Sequence, residues 1–225
     1  MTPIPSDSSS ARGRETEWKL EIVARDDFLW LRDSPELGTR TPPSLQKNHY
    51  FDTEAEDLAR TRILLRVREE GGRFILTLKA GKEVRPGLFD SLEIEEEMTA
   101  EEAGRILLRP AGLLERSGPV IEELRRRRGD PRLVAVGTLT NERVQRRPEP
   151  TLRLDVDRVV FPDGTESYEL ELETSDPAGA ERWLADLVRR HPLRLEPERL
   201  TKMERFLRWK EQQMRTAPTG GRGAP

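Results

Sequence analysis

Residues 15–22 read Glu15-Thr16-Glu17-Trp18-Lys19-Leu20-Glu21-Ile22, with a charge at every odd position and apolar side chains at Trp18, Leu20 and Ile22. A period of two belongs to an extended strand, whose side chains alternate between its two faces. This strand therefore carries one charged face and one apolar face. The alternation recurs in Leu65-Arg66-Val67-Arg68, in Phe74-Ile75-Leu76-Thr77-Leu78-Lys79 and in Leu92-Glu93-Ile94-Glu95. It returns in Leu152-Arg153-Leu154-Asp155-Val156-Asp157 and in Tyr168-Glu169-Leu170-Glu171-Leu172-Glu173. A short strand over 48–51 and a longer one over 139–147 bring the total to about eight, within the range at which a sheet closes into a barrel.

Helical signals fall between and after the strands. Thr99 and Glu102 form a capping-box pattern ahead of Ala103 to Leu108, and Pro119 or Val120 opens a helix that runs to Arg128 before Gly129. Asp176 caps a third helix, with Pro177 in its first turn and Trp183, Leu184, Leu187 and Val188 on one face. A last helix begins near Thr201 and gathers Met203, Phe206 and Leu207 on one side. The class is thus α+β. Residues 1–14 and 214–225 are rich in Ser, Pro and Gly and are expected to be disordered tails around a single domain over 15–213.

The strands can be arranged in two ways. In a half-exposed antiparallel sheet the charged faces meet water and the apolar faces cover the core, the commoner arrangement. In an inside-out barrel the apolar faces lie outward beneath helices and the charges line a tunnel. The distribution of sign favours the barrel. Glu15/Glu17, Glu93/Glu95 and Glu169/Glu171 stand on acidic strands, whereas Arg66 and Arg68 share a purely basic one. Segregation by strand suits carboxylates gathered for metal and cations gathered for phosphate oxygens.

Composition removes other chemistries. There is no cysteine, which excludes disulfides, thiolate metal sites and cysteine nucleophiles, and the two histidines, His49 and His191, are too few for a multi-histidine metal centre. Any metal must therefore rest on carboxylates, the ligands of magnesium or manganese. The formal net charge of -3 gives no pull toward nucleic acid or membrane, and no apolar run is long enough to span a bilayer. A cytoplasmic protein without a signal peptide is expected. The run Arg125-Arg126-Arg127-Arg128 points all round a helix end, where a solvated C-terminus fits better than a nucleic-acid patch.

The Glu15-x-Glu17-x-Lys19 pattern does not stand alone. Tyr50-Phe51-Asp52-Thr53, the segment Leu58 to Arg62, Leu65-Arg66-Val67-Arg68 and Leu76-Thr77-Leu78-Lys79 follow it. Glu93-x-Glu95, Arg143, Asp155 or Asp157, Tyr168-Glu169-x-Glu171 and Thr201-Lys202 come after, in that order. Over residues 15–210 this series resembles the CYTH superfamily, the triphosphate tunnel metalloenzymes. The resemblance implies an eight-stranded antiparallel closed β-barrel with helices outside, and a tunnel that takes a triphosphate end-on. Its members hydrolyse inorganic tripolyphosphate, thiamine triphosphate or nucleoside triphosphates, and one class cyclises ATP to cyclic AMP.

On that resemblance Lys19, Arg66, Arg68, Lys79, Arg143 and Lys202 bind phosphate, through groups that donate without titrating at neutral pH. Glu15, Glu17, Glu169 and Glu171 hold Mg2+ or Mn2+, with Glu93, Glu95 and Asp157 as further inward carboxylates. Asp157 is chosen over Asp155 for its spacing from Phe161-Pro162. Glu17, Lys19, Arg66 and Arg68 are the expected catalytic set. Two positions depart from family patterns. Ser91 stands where many members carry arginine, and Leu64 where animal-type thiamine triphosphatases place the tryptophan that stacks on thiamine. With no evident adenine pocket either, inorganic tripolyphosphate is the favoured substrate. A class IV-type adenylyl cyclase, a thiamine triphosphatase and a non-catalytic polyphosphate- or nucleotide-binding module are the alternatives. The partner is the triphosphate itself, bound by a monomer or a homodimer.

Overall fold

The alternating strands pair into one antiparallel sheet that closes on itself. A computed structural model of the chain describes residues 10–216. In chain order the elements are β1 (Ser10–Ile22), α1 (Arg25–Asp33), β2 (Thr39–Arg40), β3 (Ser44–Thr53), α2 (Asp57–Arg60), β4 (Ile63–Glu70), β5 (Arg73–Arg85) and β6 (Leu88–Met98). They continue with α3 (Ala100–Leu108), α4 (Pro119–Arg128), β7 (Leu133–Glu149), β8 (Leu152–Val160), β9 (Glu166–Thr174), α5 (Pro177–Arg190), β10 (Leu195–Pro197) and α6 (Lys202–Thr216). The barrel runs β1-β6-β5-β4-β3-β7-β8-β9 and back to β1. Closure depends on the length of β1, which pairs with β6 over residues 10–18 and with β9 over 17–21. The short β10 and β2 extend the edges of β1 and β7.

The apolar faces point outward. Leu65, Val67, Leu76, Leu78 and Ile94 are fully buried beneath Ala103 and Ile106 of α3 and Val120, Ile121 and Leu124 of α4. On the other side Trp18, Leu20 and Ile22 join Leu154, Leu170 and Leu172 against Phe28 and Leu31 of α1 and Leu187 of α5. Each such aliphatic side chain contributes roughly 1.5–3 kcal/mol through burial. These helix-covered layers are the core, and they leave the charged faces to the interior.

Both halves of the Thr99/Glu102 capping box are formed, Asp176 caps α5 through the Gly179 amide, and α4 stops at Gly129 as its sequence indicates. Helix α1 has no such signal: Ala24 precedes it and offers no side-chain cap. Val188, expected on the apolar face of α5, is exposed. The tail boundaries also shift. Strand β1 starts at Ser10 because residues 10–14 pair with β6, and α6 runs to Thr216. The remaining parts of both expected tails, 1–9 and 217–225, lie outside the described residues.

Helix α6 covers one end of the barrel. Met203, Phe206 and Leu207 pack on Tyr50, Leu139 and Val159, which stand on the inward faces of β3, β7 and β8. An extra residue in β7, Val136, shifts its register against β3 next to Gly137, whose missing side chain leaves room for the Phe206 ring. No helix among the described residues is long and apolar enough to cross a membrane.

Candidate active site

The charged faces converge on a cavity of about 300 Å3 inside the barrel. Strand β1 supplies Glu15, Glu17 and Lys19, β4 supplies Arg66 and Arg68, and β5 supplies Lys79. Glu93 and Glu95 reach it from β6, Arg143 from β7, Glu171 from β9 and Lys202 from the first turn of α6. Asp157 and Glu169 lie just beyond the cavity surface, each 2.9 Å from the Lys202 ammonium. Every residue expected from the sequence to form the site is thus brought to this interior. The strand order explains the polarity. β4 lies four places round the ring from β9, so Arg66 and Arg68 face Glu169 and Glu171 across the tunnel.

The acidic wall is closely paired. Lys19 Nζ lies 2.5 Å from Glu171, 3.2 Å from Glu17 and 3.8 Å from Glu169. Lys202 Nζ is 2.8 Å from Glu171. Arg143 bonds Asp157 through two nitrogens at 2.6 and 2.8 Å, and also reaches Asp155 and Glu171. Burial pulls the Lys19 ammonium down, but Glu17, Glu171 and Glu169 outweigh it and raise its pKa well above the ordinary value. Burial pushes the Glu171 carboxyl up, and Lys19, Lys202 and Arg143 overcome this to hold it well below the carboxylate range. Glu169 is raised, because burial prevails there over Lys202 and Arg205.

The opposite wall is looser. Lys79 contacts Glu15 and Glu17 at 2.5 Å. Among the described residues the one carboxylate within ion-pair reach of Arg66 is Glu93, at 3.7 Å, and Arg68 donates a long 3.4 Å bond to the Asn48 amide oxygen. Arg66 Nε is buried with no hydrogen-bond partner. Thr77 lies on the same inward face and donates to Glu95 at 3.2 Å. The wall therefore offers guanidinium donors that no carboxylate fully occupies, the requirement for gripping phosphoryl oxygens.

The carboxylates supply the all-oxygen donor set that magnesium and manganese take. Each of Glu15, Glu17, Glu169 and Glu171 is engaged here by lysine or arginine, and among the described residues no three acidic or imidazole groups are arranged as a ready metal cage.

Several further residues border the site. Arg205 pairs with Glu169 and stands 3.1 Å from Glu198. Its signal was available, because it follows Lys202 by three residues on a helix and shares its face. Asp155 is as buried as Asp157 and also contacts Arg143, so the choice between them separates neighbours in one network. Glu173, the last charge of the β9 alternation, lines the cavity in contact with Arg153. Leu64 and Ser91 border a smaller recess next to α6, and the buried Ser91 hydroxyl has no hydrogen-bond partner among the described residues. His49 lies outside the site, 2.8 Å from the Thr138 hydroxyl. The arginine run is neutralised locally. Arg125 bonds Asp130, Arg126 and Arg127 bond Glu123, and Arg128 approaches Asp57.

Known proteins resemble this chain in sequence and in fold. A candidate triphosphatase of Bacillus subtilis (strain 168), YjbK, is 30% identical over 204 residues, covering 90% of this chain and 97% of that protein. The solved structure of HpAC1 from Hippeastrum, a candidate adenylyl cyclase with a dominant triphosphatase activity, superposes with a TM-score of 0.76. It is 25% identical and covers 87% of this chain and 96% of that one. A candidate adenylate cyclase from Bacillus halodurans gives a TM-score of 0.68 at 25% identity, over 86% and 98% of the two chains. The CYTH domain model matches residues 13–207. With the inward Glu15-x-Glu17-x-Lys19 strand, the closed eight-stranded barrel and that match over most of its length, the chain belongs to the CYTH domain family.

Proposed function

We propose that this protein is a metal-dependent triphosphatase that hydrolyses inorganic tripolyphosphate or a related triphosphate within the barrel. One observation carries the reading: the loosely paired Arg66 and Arg68 face a carboxylate wall across a tunnel whose far end is covered by α6. A triphosphate entering end-on presents its anionic oxygens to these guanidiniums, to Lys79 and Lys19 along the barrel, and to Arg143 and Lys202 deeper in. Positioning and charge stabilisation supply most of the acceleration in such a transfer. Water adds across one P–O–P bridge, releasing orthophosphate and pyrophosphate.

Glu15, Glu17, Glu169 and Glu171 would hold magnesium or manganese, with Glu93, Glu95 and Asp157 as supporting carboxylates. When bound, such an ion neutralises charge on the phosphoryl oxygens. HpAC1 is described both as a candidate cyclase and as a triphosphatase, so cyclisation of ATP is the second reading. Incubation with tripolyphosphate, ATP and thiamine triphosphate, each with magnesium or manganese, followed by phosphorus NMR, separates the two. Orthophosphate from tripolyphosphate is the expected product. Cyclic AMP from ATP, with tripolyphosphate untouched, overturns the proposal.

A further inference from the structure

We infer that Arg205, anchored by Glu198, is a positioning residue that fixes the Glu169 carboxylate so that one of its oxygens is presented to a divalent cation. This rests on the reading of Glu169 as a metal ligand of the proposed triphosphatase and adds the groups that stand behind it.

The three residues form a chain leading outward from the interior. The Glu169 carboxylate is almost fully buried, and its two oxygens keep different company. Oε1 belongs to the tunnel cations, 2.9 Å from the Lys202 ammonium and 3.8 Å from that of Lys19. Oε2 instead accepts a hydrogen bond from Arg205 Nη2. The other terminal nitrogen, Nη1, stands 3.1 Å from the Glu198 carboxylate and 3.4 Å from the Ser167 hydroxyl. The cavity lining includes Lys202 but neither Arg205 nor Glu198, so Arg205 acts on the site through Glu169.

Glu198 is a fixed post. It is buried, and its backbone amide donates to the Lys19 carbonyl at 2.9 Å, which prolongs the pairing of β10 with β1. Its Oε1 accepts the amides of Arg199 and Leu200 at 3.1 Å each, which leaves Oε2 for Arg205. A planar guanidinium serves two carboxylates at once in a fixed geometry, which a compact ammonium cannot match. With Oε2 held in this way, Glu169 needs less ordering before Oε1 can take a cation. Arg205 and Lys202 are three residues apart on α6, so one helix face supplies both a cation of the cavity wall and the support behind a ligand.

The test titrates Mn2+ into substrate-free protein by calorimetry, and measures metal half-saturation and KM for tripolyphosphate. It uses the wild type, Arg205→Ala, Arg205→Lys and Glu198→Gln. Metal affinity should fall about 10- to 100-fold in Arg205→Ala, while KM at saturating metal rises far less. Arg205→Lys keeps the charge but not the fork, so it should recover only part of the affinity. Glu198→Gln keeps the volume and should weaken metal binding by a smaller factor, and this milder variant reports if Arg205→Ala does not fold. A lower melting temperature with wild-type metal affinity in all three variants makes the pair purely structural and overturns the inference. So does a rise in KM that exceeds the loss of metal affinity, since Arg205 would then meet the substrate directly. If tripolyphosphate is not hydrolysed but Mn2+ affinity still depends on Arg205, the triphosphatase reading fails while the positioning role stands.

Discussion

Arg66 reaches Glu93 only at 3.7 Å across β4, β5 and β6, a separation at which the two charges attract without a proper hydrogen bond. On β7, Arg143 is clamped by Asp155, Asp157 and Glu171. The contrast separates a cation with little carboxylate pairing from one already held by three carboxylates. Arg66→Ala and Arg68→Ala should therefore leave melting temperature nearly unchanged and raise KM for tripolyphosphate. Each charged contact removed is expected to cost about 1.5–3 kcal/mol in kcat/KM. Arg143→Ala should instead unfold the protein at lower temperature, because it strands three buried carboxylates. Thermal melts and steady-state kinetics on the three variants check this. Wild-type kinetics in both Arg66→Ala and Arg68→Ala would remove that strand from the binding surface.

Glu17 is almost wholly buried between Lys79 at 2.5 Å and Lys19 at 3.2 Å. Glu17→Gln keeps the volume and removes the charge, so the proposed metal ligand is lost with little change of shape. Turnover should drop by at least about 10- to 100-fold, the range lost when even an outer partner of a metal ligand is removed. Part of the loss should return at high magnesium or manganese. A metal titration at saturating tripolyphosphate reads this. Wild-type rates at low metal would show that Glu17 is not a ligand.

Much of this arrangement was legible in the sequence because a period of two fixes which residues share a face. Once Trp18, Leu20 and Ile22 were seen to be apolar together, Glu15, Glu17 and Lys19 had to be polar together. What alternation cannot say is which face is inside. That answer came from the segregation of sign between strands and from the family series. Elements held by tertiary contacts alone left no local trace: α1 lacks a capping side chain, and the two-residue β2 pairs with a single stretch of β7. Arg205 falls outside the family series for another reason. The motif ends at Lys202, and the partner one turn later emerges only when the helix is followed past it.

The arginine run of α4 gives a prediction in pH. Hydrogen bonds from Arg126, with Arg127 behind it, hold the buried Glu123 carboxyl down at about 2 despite its desolvation. The folded value is depressed, so the stabilisation is fully present above the unfolded value of ~4.3 and is lost as pH falls toward 2. Glu123→Gln should cost about 1–2 kcal/mol at neutral pH, discounted because Arg126 is largely solvated. The gap in melting temperature between wild type and variant should then close between pH 4 and 2. A gap that persists unchanged at pH 2 would mean that packing, and not charge, sets the effect.

The seat of α6 ties barrel stability to the site. Gly137 has φ +150° in β7, and a Cβ placed there would stand 2.5 Å from two carbons of the Phe206 ring. Phe206 belongs to the same helix face as Met203, one turn from Lys202, so the ring that seals the barrel also fixes the ammonium among Asp157, Glu169 and Glu171. Phe206→Ala should cost about 3–5 kcal/mol through the cavity it leaves. Gly137→Ala should cost roughly 1–3 kcal/mol by overpacking, with added backbone strain at a positive φ. Both should raise KM for tripolyphosphate, since Lys202 and Arg205 lose their fixed positions. The two residues touch, so their effects should not add: Phe206→Leu placed on Gly137→Ala should recover part of the lost melting temperature. Strict additivity in that double-mutant cycle would show that the ring does not sit on Gly137. Unchanged KM in destabilised single variants would show that Lys202 is positioned by its ion pairs and not by the plug.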